Sequence, residues 1–474
     1  MKKDNNRPII LGVFLDYIME SNYSREGISR YLFNLLESLL SSSDIQIEIW
    51  TRILNKNIVE SEYLEELILA YPGRIKICYE IDKNINNRNV FWLCLYEIYN
   101  LFIGRIANWR SVPALYAKNV KDKSIYSIIN IKILFLLSLI SRGLHKKILH
   151  HFFKHPPVCE TLLVKKANKY SSADLFIIPY VSIFSSSFLK QKKLLALHDL
   201  FSVEYEDRFK IIDPSIVKFN KQVLEFCESF NSAGNYFICH SASIKNTIER
   251  YIANSSVYSV YLPCIEIKSS GNKNDLLNKY KIKKNFIFYP TQIRPYKNVE
   301  VILEAISLLK QKFGIELTLV LTGKMSSYPP VLELCHKLNL TNSVIEIGSI
   351  SQEDLYGLYE LADLSVVPTL SEGGFPWQAL EAIYCSCPVV LSDIPVVRER
   401  LEFAKAPEEI INNLLLFEPN NSVALSEKII FCLQNKKVVL ENQTKLGSYL
   451  REYNWGNVAL SYKTIFYDIR KENS

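Results

Sequence analysis

Short apolar, β-rich runs alternate with helix-length amphipathic stretches along most of this chain, and that rhythm constrains the fold more than any other feature. The candidate strands of the first half are Ile9–Leu15, Ile45–Trp50, Ile75–Tyr79, Leu175–Pro179, Leu194–His198, Tyr236–His240 and Val257–Leu262. Those of the second half are Phe286–Tyr289, Leu317–Leu321, Val344–Ile347, Leu364–Val367 and Val389–Leu391. Helical patterns such as Ile28–Leu40, Ser243–Tyr251, Val299–Lys312 and Asp354–Leu361 separate most of them. Alternation of this kind predicts parallel sheets with helices on both faces. A length of 474 residues exceeds one ordinary core, so two such domains are expected. The polar stretch "CIEIKSSGNKNDLLNKYKIKKN", with Gly271, reads as the linker between them. Ligands in this architecture bind at the carboxyl ends of the strands, so two facing sheets make a cleft.

Four stretches carry chemistry. "TLSEGGFPWQALEAIYCSCPVVLSDIPVVRE", from Thr369 to Glu399, sets Glu372 just before a helix and Glu381 inside it. Gly373 and Gly374 let the backbone come close to a ligand. Pro376 suits a first helical position and predicts a helix to about Cys385, with Trp377, Glu381 and Cys385 on one face. Its unpaired N–H groups suit a hydroxyl-rich or anionic ligand. A capped surface helix with two solvated glutamates is the competing reading. "FIFYPTQIRPYKNVEVILEA" is a strand, a loop with Arg294 and Lys297, then a helix. Two cations at a strand's carboxyl end would clamp a diphosphate, Arg as a planar fork and Lys as a mobile point charge. An exposed basic loop is the plainer alternative. "LLALHDLFSVEY" puts His198 and Asp199 straight after a buried strand, where a His can bond a sugar hydroxyl, handle a proton, or be merely structural. "YSREGISRYLFNLLESLL" puts Gly27 at the entry to the first long helix.

Composition narrows the classes further. Apolar residues make up 48% of the chain, enough for large cores. The net charge of +7 is mildly basic and comes without an RNP pattern, a zinc finger or a dense Lys/Arg stripe, so no nucleic acid is expected as a partner. The ten cysteines are scattered, many of them in apolar segments such as those of Cys78, Cys227, Cys239 and Cys432, as reduced and packed thiols would be. The apolar run after "MKKDNNRPI" is short, ends at Asp16 and reads as a buried strand, not a signal peptide. No apolar run is long enough and charge-free enough for a membrane span. Residues from about Val90 to His155 break the rhythm with aromatic-rich helical sequence and the basic residues Arg142, Lys146, Lys147 and Lys154. Such a segment suits either a helical insert packed on the first sheet or a helix lying in a membrane interface. His145, His150, His151 and His155, with Cys159 and Glu160, follow no recognised metal-ligand spacing.

Taken in this order, the four stretches resemble one family, the retaining GT-B glycosyltransferases of sequence family four. The resemblance is strong from Phe286 to about Val397, fair at Gly27–Leu36 and His198–Asp199, and absent from about Val90 to His155. "VLTG", "VIEIGSISQEDLYGLYELADLSVVPTLSEGG" and "SDIPVVRE" are also similar to the family's nucleotide-binding half. The resemblance implies two Rossmann-like doubly wound domains facing across a cleft. The acceptor-binding domain would span 1–265 and carry the helical insert of about 90–155. The nucleotide-sugar domain would span 280–450, and a helix over 451–474 would pack back on the first domain. It implies that Arg294 and Lys297 hold the donor's diphosphate. Glu372, with Gly373, Gly374 and Phe375, would hold the donor sugar, and Glu381 the ribose hydroxyls. Gly27, Asp199 and Gly348 would complete the donor site, with His198, Arg294, Lys297 and Glu372 as the catalytic set. Two departures stand out. Eight residues separate Glu372 from Glu381, one more than the family's usual spacing, and Glu26 stands where a second glycine is common.

The implied reaction moves a hexose, mannose among the options, from a nucleotide diphosphate sugar to a saccharide or lipid-linked saccharide acceptor with retention of configuration. The donor bond would break through an oxocarbenium-like state, with leaving-group charge stabilised by Arg294, Lys297 and helix N-termini. No D-x-D occurs, so neither a metal nor any cofactor beyond the donor substrate is expected. A GT-B nucleotide-sugar epimerase and a non-catalytic scaffold subunit of a polysaccharide assembly complex are the alternatives. The Arg294, Lys297 and Glu381 set argues against the scaffold. The expected location is cytoplasmic, with peripheral membrane contact through the 90–155 insert.

Overall fold

The computed structural model describes residues 7–17, 27–52, 62–80, 161–263, 275–283 and 285–472. Contacts divide the chain into two units, Met1–Tyr79 with Leu162–Ser474, and Glu80–Thr161. Residues 81–160 of the second unit are outside the described residues, and with them the expected Val90–His155 insert and the histidines at 145, 150, 151 and 155. The same holds for 264–274, most of the expected linker, and for Glu26.

The first unit holds two parallel sheets. In the first, β1 (Ile9–Tyr17), β2 (Ile45–Arg52), β3 (Ile75–Glu80), β4 (Leu175–Ile178), β5 (Lys192–Ala196), β6 (Tyr236–Cys239) and β7 (Val257–Ser259) lie in the order β3-β2-β1-β4-β5-β6-β7. The helix α1 (Gly27–Leu40) joins β1 to β2. In the second, β8 (Phe286–Tyr289), β9 (Thr318–Leu321), β10 (Val344–Glu346), β11 (Leu364–Val367), β12 (Val389–Ser392) and β13 (Leu416–Phe417) lie in the order β10-β9-β8-β11-β12-β13. Both are doubly wound sheets of the GT-B arrangement. In each the strand order reverses once, between β1 and β4 and between β8 and β11, and such reversals open ligand crevices at the strands' carboxyl ends.

The strands read as continuous apolar runs because both of their faces are covered. In the first sheet Leu11, Val13, Leu175, Ile177, Leu194 and Ile238 pack into one core. Their neighbours Phe14, Phe176, Ile178, Leu195 and Phe237 pack into another on the opposite face. That is the two-residue period of a pleated strand. Gly12 is required where it stands, since a Cβ there would lie 2.4 Å from the Phe176 ring. The second sheet has its own core, built on Phe286–Tyr289, Leu319–Leu321, Leu364–Val367 and Val389–Leu391.

The helix Trp455–Glu472 follows the second domain in sequence but packs on the first. Val458, Tyr462, Ile465 and Phe466 join the core beside Tyr31 and Leu35 of α1. Lys463 Nζ and Tyr467 Oη bond the Asp44 carboxylate at 2.8 and 2.9 Å. Differences from the sequence reading are local. β5 ends at Ala196, which leaves His198 in the following loop. β13 was not read at all. Pro376 precedes its helix and does not begin it, because its ψ of 122° is extended. The cysteines at 78, 227, 239, 335, 385, 387 and 432 are free and buried.

Candidate active site

The β8–helix loop and the β11–helix loop flank the point where the second sheet reverses. After β8, Arg294 is followed by a single 3-10 turn, Pro295–Lys297. Asn298, left-handed at φ 53°, then redirects the chain into the helix Val299–Phe313. Asn298 Nδ2 bonds the Pro368 carbonyl at 3.1 Å, and Leu370 N bonds the Tyr296 carbonyl at 2.8 Å, so the two loops are fastened together. That fastening turns Lys297 inward, where its ammonium pairs with Glu372 Oε1. Burial alone would lower the Lys297 pKa, but the Glu372 carboxylate and the Tyr296 and Tyr289 phenols outweigh it, and the net direction is up. Arg294 is exposed and donates to Gln292 Oε1 at 2.8 Å.

The first domain supplies the facing wall. Asp199 Oδ1 accepts from Phe201 N at 3.1 Å. Burial pushes its carboxyl up, opposed by that bond and by the charges of Arg294 and Lys297, with Glu372 adding to the rise. The structure therefore brings Asp199, Arg294, Lys297 and Glu372 into one electrostatic group. Gly373 lies against the first domain, since a Cβ on it would sit 2.7 Å from the His198 carbonyl oxygen. At Gly374 the corresponding distance, to the His240 carbonyl, is 3.6 Å. Phe375, next in the chain, is buried.

Of the roles open to His198 after its strand, the structural one has contacts in the protein. Its Nε2 lies 2.9 Å from the Pro179 carbonyl and its Nδ1 lies 2.9 Å from His240 Nε2. His240 Nδ1 lies 3.2 Å from the Val260 carbonyl. Both ring nitrogens of His198 are thus engaged by protein, and what it presents to Gly373 is its backbone carbonyl. A carbonyl only accepts, so His198 Nε2 carries its proton, and a neutral His240 has one proton to place either toward the Val260 carbonyl or toward His198 Nδ1. Burial pushes His198 down to about 4 and His240 down to about 3. Tyr31 of α1 packs its ring against both imidazoles, and its hydroxyl meets that of Tyr462 at 2.6 Å.

Glu381 lies in the helix Trp377–Tyr384 and is buried. Tyr359 Oη donates to its Oε2 at 3.1 Å, and Arg30 Nη1 of α1 donates to its Oε1 at 3.0 Å. Burial raises the carboxyl, against the charge and hydrogen bond of Arg30 and the bond from Tyr359. Further contacts tie the two domains. Ala242 N and Ser243 N, at the start of the helix Ala242–Tyr251, donate to the two carboxylate oxygens of Glu399, the second at 2.9 Å. Arg208 Nη1 donates to the Pro295 carbonyl at 2.9 Å.

Gly27 begins α1, and the loop before it lies outside the described residues. Gly348 follows β10 at φ 74°, with open space where a Cβ would go. Sequence reasoning did not single out Arg30, Tyr359, His240 or, as a separate group, Glu399. For His240 a signal existed. β5 and β6 pair Ala196 with Ile238, and the same offset two residues on sets His198 beside His240. Among the described residues no group of His, Cys, Asp and Glu is placed to hold a metal, and no helix is long and apolar enough to cross a membrane.

Residues 272–453 match the family model described as Glycosyl transferases group 1. The Escherichia coli serotype-specific mannosyltransferase WbdA is 25% identical over 278 residues, covering 56% of this chain and 32% of WbdA. The Salmonella typhimurium O-antigen chain mannosyltransferase RfbU is 23% identical over 274 residues, covering 57% of this chain and 68% of RfbU. The crystal structure of Anabaena Alr3699/HepE in complex with UDP and glucose superposes with a TM-score of 0.58 at 11% identity, covering 97% of this chain and 100% of that one. The chain thus spans about a third of WbdA's length and about two thirds of RfbU's. In fold the chain is of the GT-B type, and its residues 272–453 are similar to the glycosyl transferases group 1 family.

Proposed function

We propose that this chain transfers a hexose, with mannose the first candidate, from a nucleotide diphosphate sugar to a saccharide or lipid-linked saccharide acceptor in polysaccharide synthesis, with retention and without a metal. The observation that carries the reading is the gathering of Lys297, Arg294, Asp199, Glu372, Gly373 and Gly374 where the second sheet reverses and the first sheet faces it. The names of WbdA and RfbU support mannose and polysaccharide, and the UDP and glucose in the Anabaena structure support a nucleotide and a sugar in such a cleft.

In this reading Lys297 and Arg294 hold the diphosphate, whose charge grows as the C1–O bond breaks and its electron pair moves to the phosphate oxygen. The acceptor hydroxyl bonds to C1 from the same face, and its proton passes to the departing phosphate oxygen. Glu372 and the amides after it hold the sugar, and Glu381 holds the ribose. His198 acts through its backbone and through the packing of its ring, not as a proton carrier. The expected 90–155 insert would bring the enzyme to an anionic membrane surface, where each basic residue contributes about 1 kcal/mol.

A panel of UDP-, GDP- and dTDP-sugars should contain one that raises the melting midpoint, because a ligand of the folded state stabilises it. That donor should then be consumed in excess EDTA to give an axial product from an axial donor by NMR. Silence across the panel would refute the reading, and an EDTA-dead enzyme or an inverted product would refute the mechanism. For the insert, co-sedimentation with anionic liposomes should weaken at high salt. Equal recovery with neutral liposomes would reject membrane docking.

A further inference from the structure

Arg30 and Glu381 stand 351 residues apart in sequence and meet across the cleft at 3.0 Å. Their side chains are only 18% and 9% exposed. The Arg30 guanidinium also lies over the Trp377 ring, 5.9 Å from its centroid. Tyr359 takes the other carboxylate oxygen at 3.1 Å. A carboxylate has two oxygens and about four acceptor positions. Arg30 and Tyr359 each use one, on different oxygens. One position per oxygen is left, which is the pattern two neighbouring hydroxyls fill.

We propose that Arg30 is a positioning residue for the nucleotide, holding Glu381 ionised and in one orientation for the 2′- and 3′-hydroxyls of a ribose. This rests on the reading of Glu381 as the ribose carboxylate. The groups that face Glu381 are Arg30 from α1, Tyr359 and Tyr356 from the helix Gln352–Leu361, and Cys385 one turn on in its own helix. Arg30 is the cation among them, so it is the group that offsets the cost of burying the charge. Because Arg30 belongs to the first domain and Glu381 to the second, the ribose site is complete only while the domains are together. A nucleotide that uses the completed site therefore favours that arrangement.

A simple latch between domains would make a different prediction. Losing a latch weakens all nucleotides alike and leaves pH dependence and ribose preference in place. The test is binding of UDP, GDP and their 2′-deoxy forms by calorimetry between about pH 5 and 9, with the wild type, Arg30→Met and Arg30→Gln. The wild type should prefer the ribonucleotide by about tenfold, the scale of one hydrogen bond to a charged group. Arg30→Met should lose about tenfold or more in affinity and most of the ribose preference, and its acid limb should move to higher pH. Arg30→Gln keeps a donor without the charge, so it should shift the limb while retaining part of the preference. It carries the test alone if the Met variant does not fold. A wild type that binds ribo and deoxy forms alike removes the reading of Glu381 and this proposal with it. A discriminating wild type with variants that share its preference and acid limb removes the positioning role alone.

Discussion

Lys297 and Glu372 form an ion pair between the β8 and β11 loops, with only 10% and 15% of their side chains exposed. A pair that dry is asymmetric under mutation. Removing one partner leaves the other charge uncompensated, at a cost of about 3 kcal/mol. Lys297→Ala should therefore lower stability as well as activity. Arg294→Ala, at an exposed position, should lose activity by about 100-fold or more at an unchanged melting midpoint. The double variant Lys297→Met/Glu372→Gln should recover the midpoint but not turnover. Denaturant titration beside a transfer assay checks all three.

The two loop glycines should separate sharply. A methyl at position 373 would collide with the His198 carbonyl, a backbone atom that cannot rotate away. At position 374 the nearest atoms are at ordinary contact distance. Gly373→Ala should thus push the β11 loop off the first domain and cost donor affinity by about tenfold or more, on the scale of a small misplacement at a reacting centre. Gly374→Ala should fold and bind donor nearly as the parent does. Equal effects of the two changes on the donor KM would contradict this geometry.

The imidazole pair gives the protein an acid sensitivity with a defined window. His198 and His240 are held neutral by burial, with pKa values of about 4 and about 3 against an ordinary 6.5. Unfolded rings take up protons as pH falls through 6.5, while the folded rings refuse them until near 4. Stability is therefore whole above the ordinary value and falls with pH inside that window, approaching about 1.4 kcal/mol per pH unit for each ring. Measured across pH 4 to 7, His240→Gln should show a shallower slope than the parent. A parental slope in that variant would assign the acid limb elsewhere.

Much of this was legible in the sequence because the strands are buried on both faces. Phe286–Tyr289 and Leu364–Val367 were read at their observed bounds, each a short β-rich run closed by a proline. β13 was not legible, since two residues at a sheet edge carry no period. The chemistry-bearing loops were found because each follows a strand, and a strand's carboxyl end is a place fixed by topology. What stayed hidden depends on contact between distant segments. Nothing around Arg30 announces a carboxylate 351 residues away. Nothing in "LHDL" says that its histidine turns toward another ring.

The helix Trp455–Glu472 has a mechanical consequence. The chain passes from the first domain to the second between β7 and β8, and returns before this helix, so two covalent connections join the domains. A single connection would leave them free to swivel in any direction. Two restrict that freedom, because the chain ties the domains together twice. The helix is locked to α1 through Tyr462 and Tyr31, and α1 carries Arg30. The same path of the chain therefore braces the element that carries the guanidinium to Glu381.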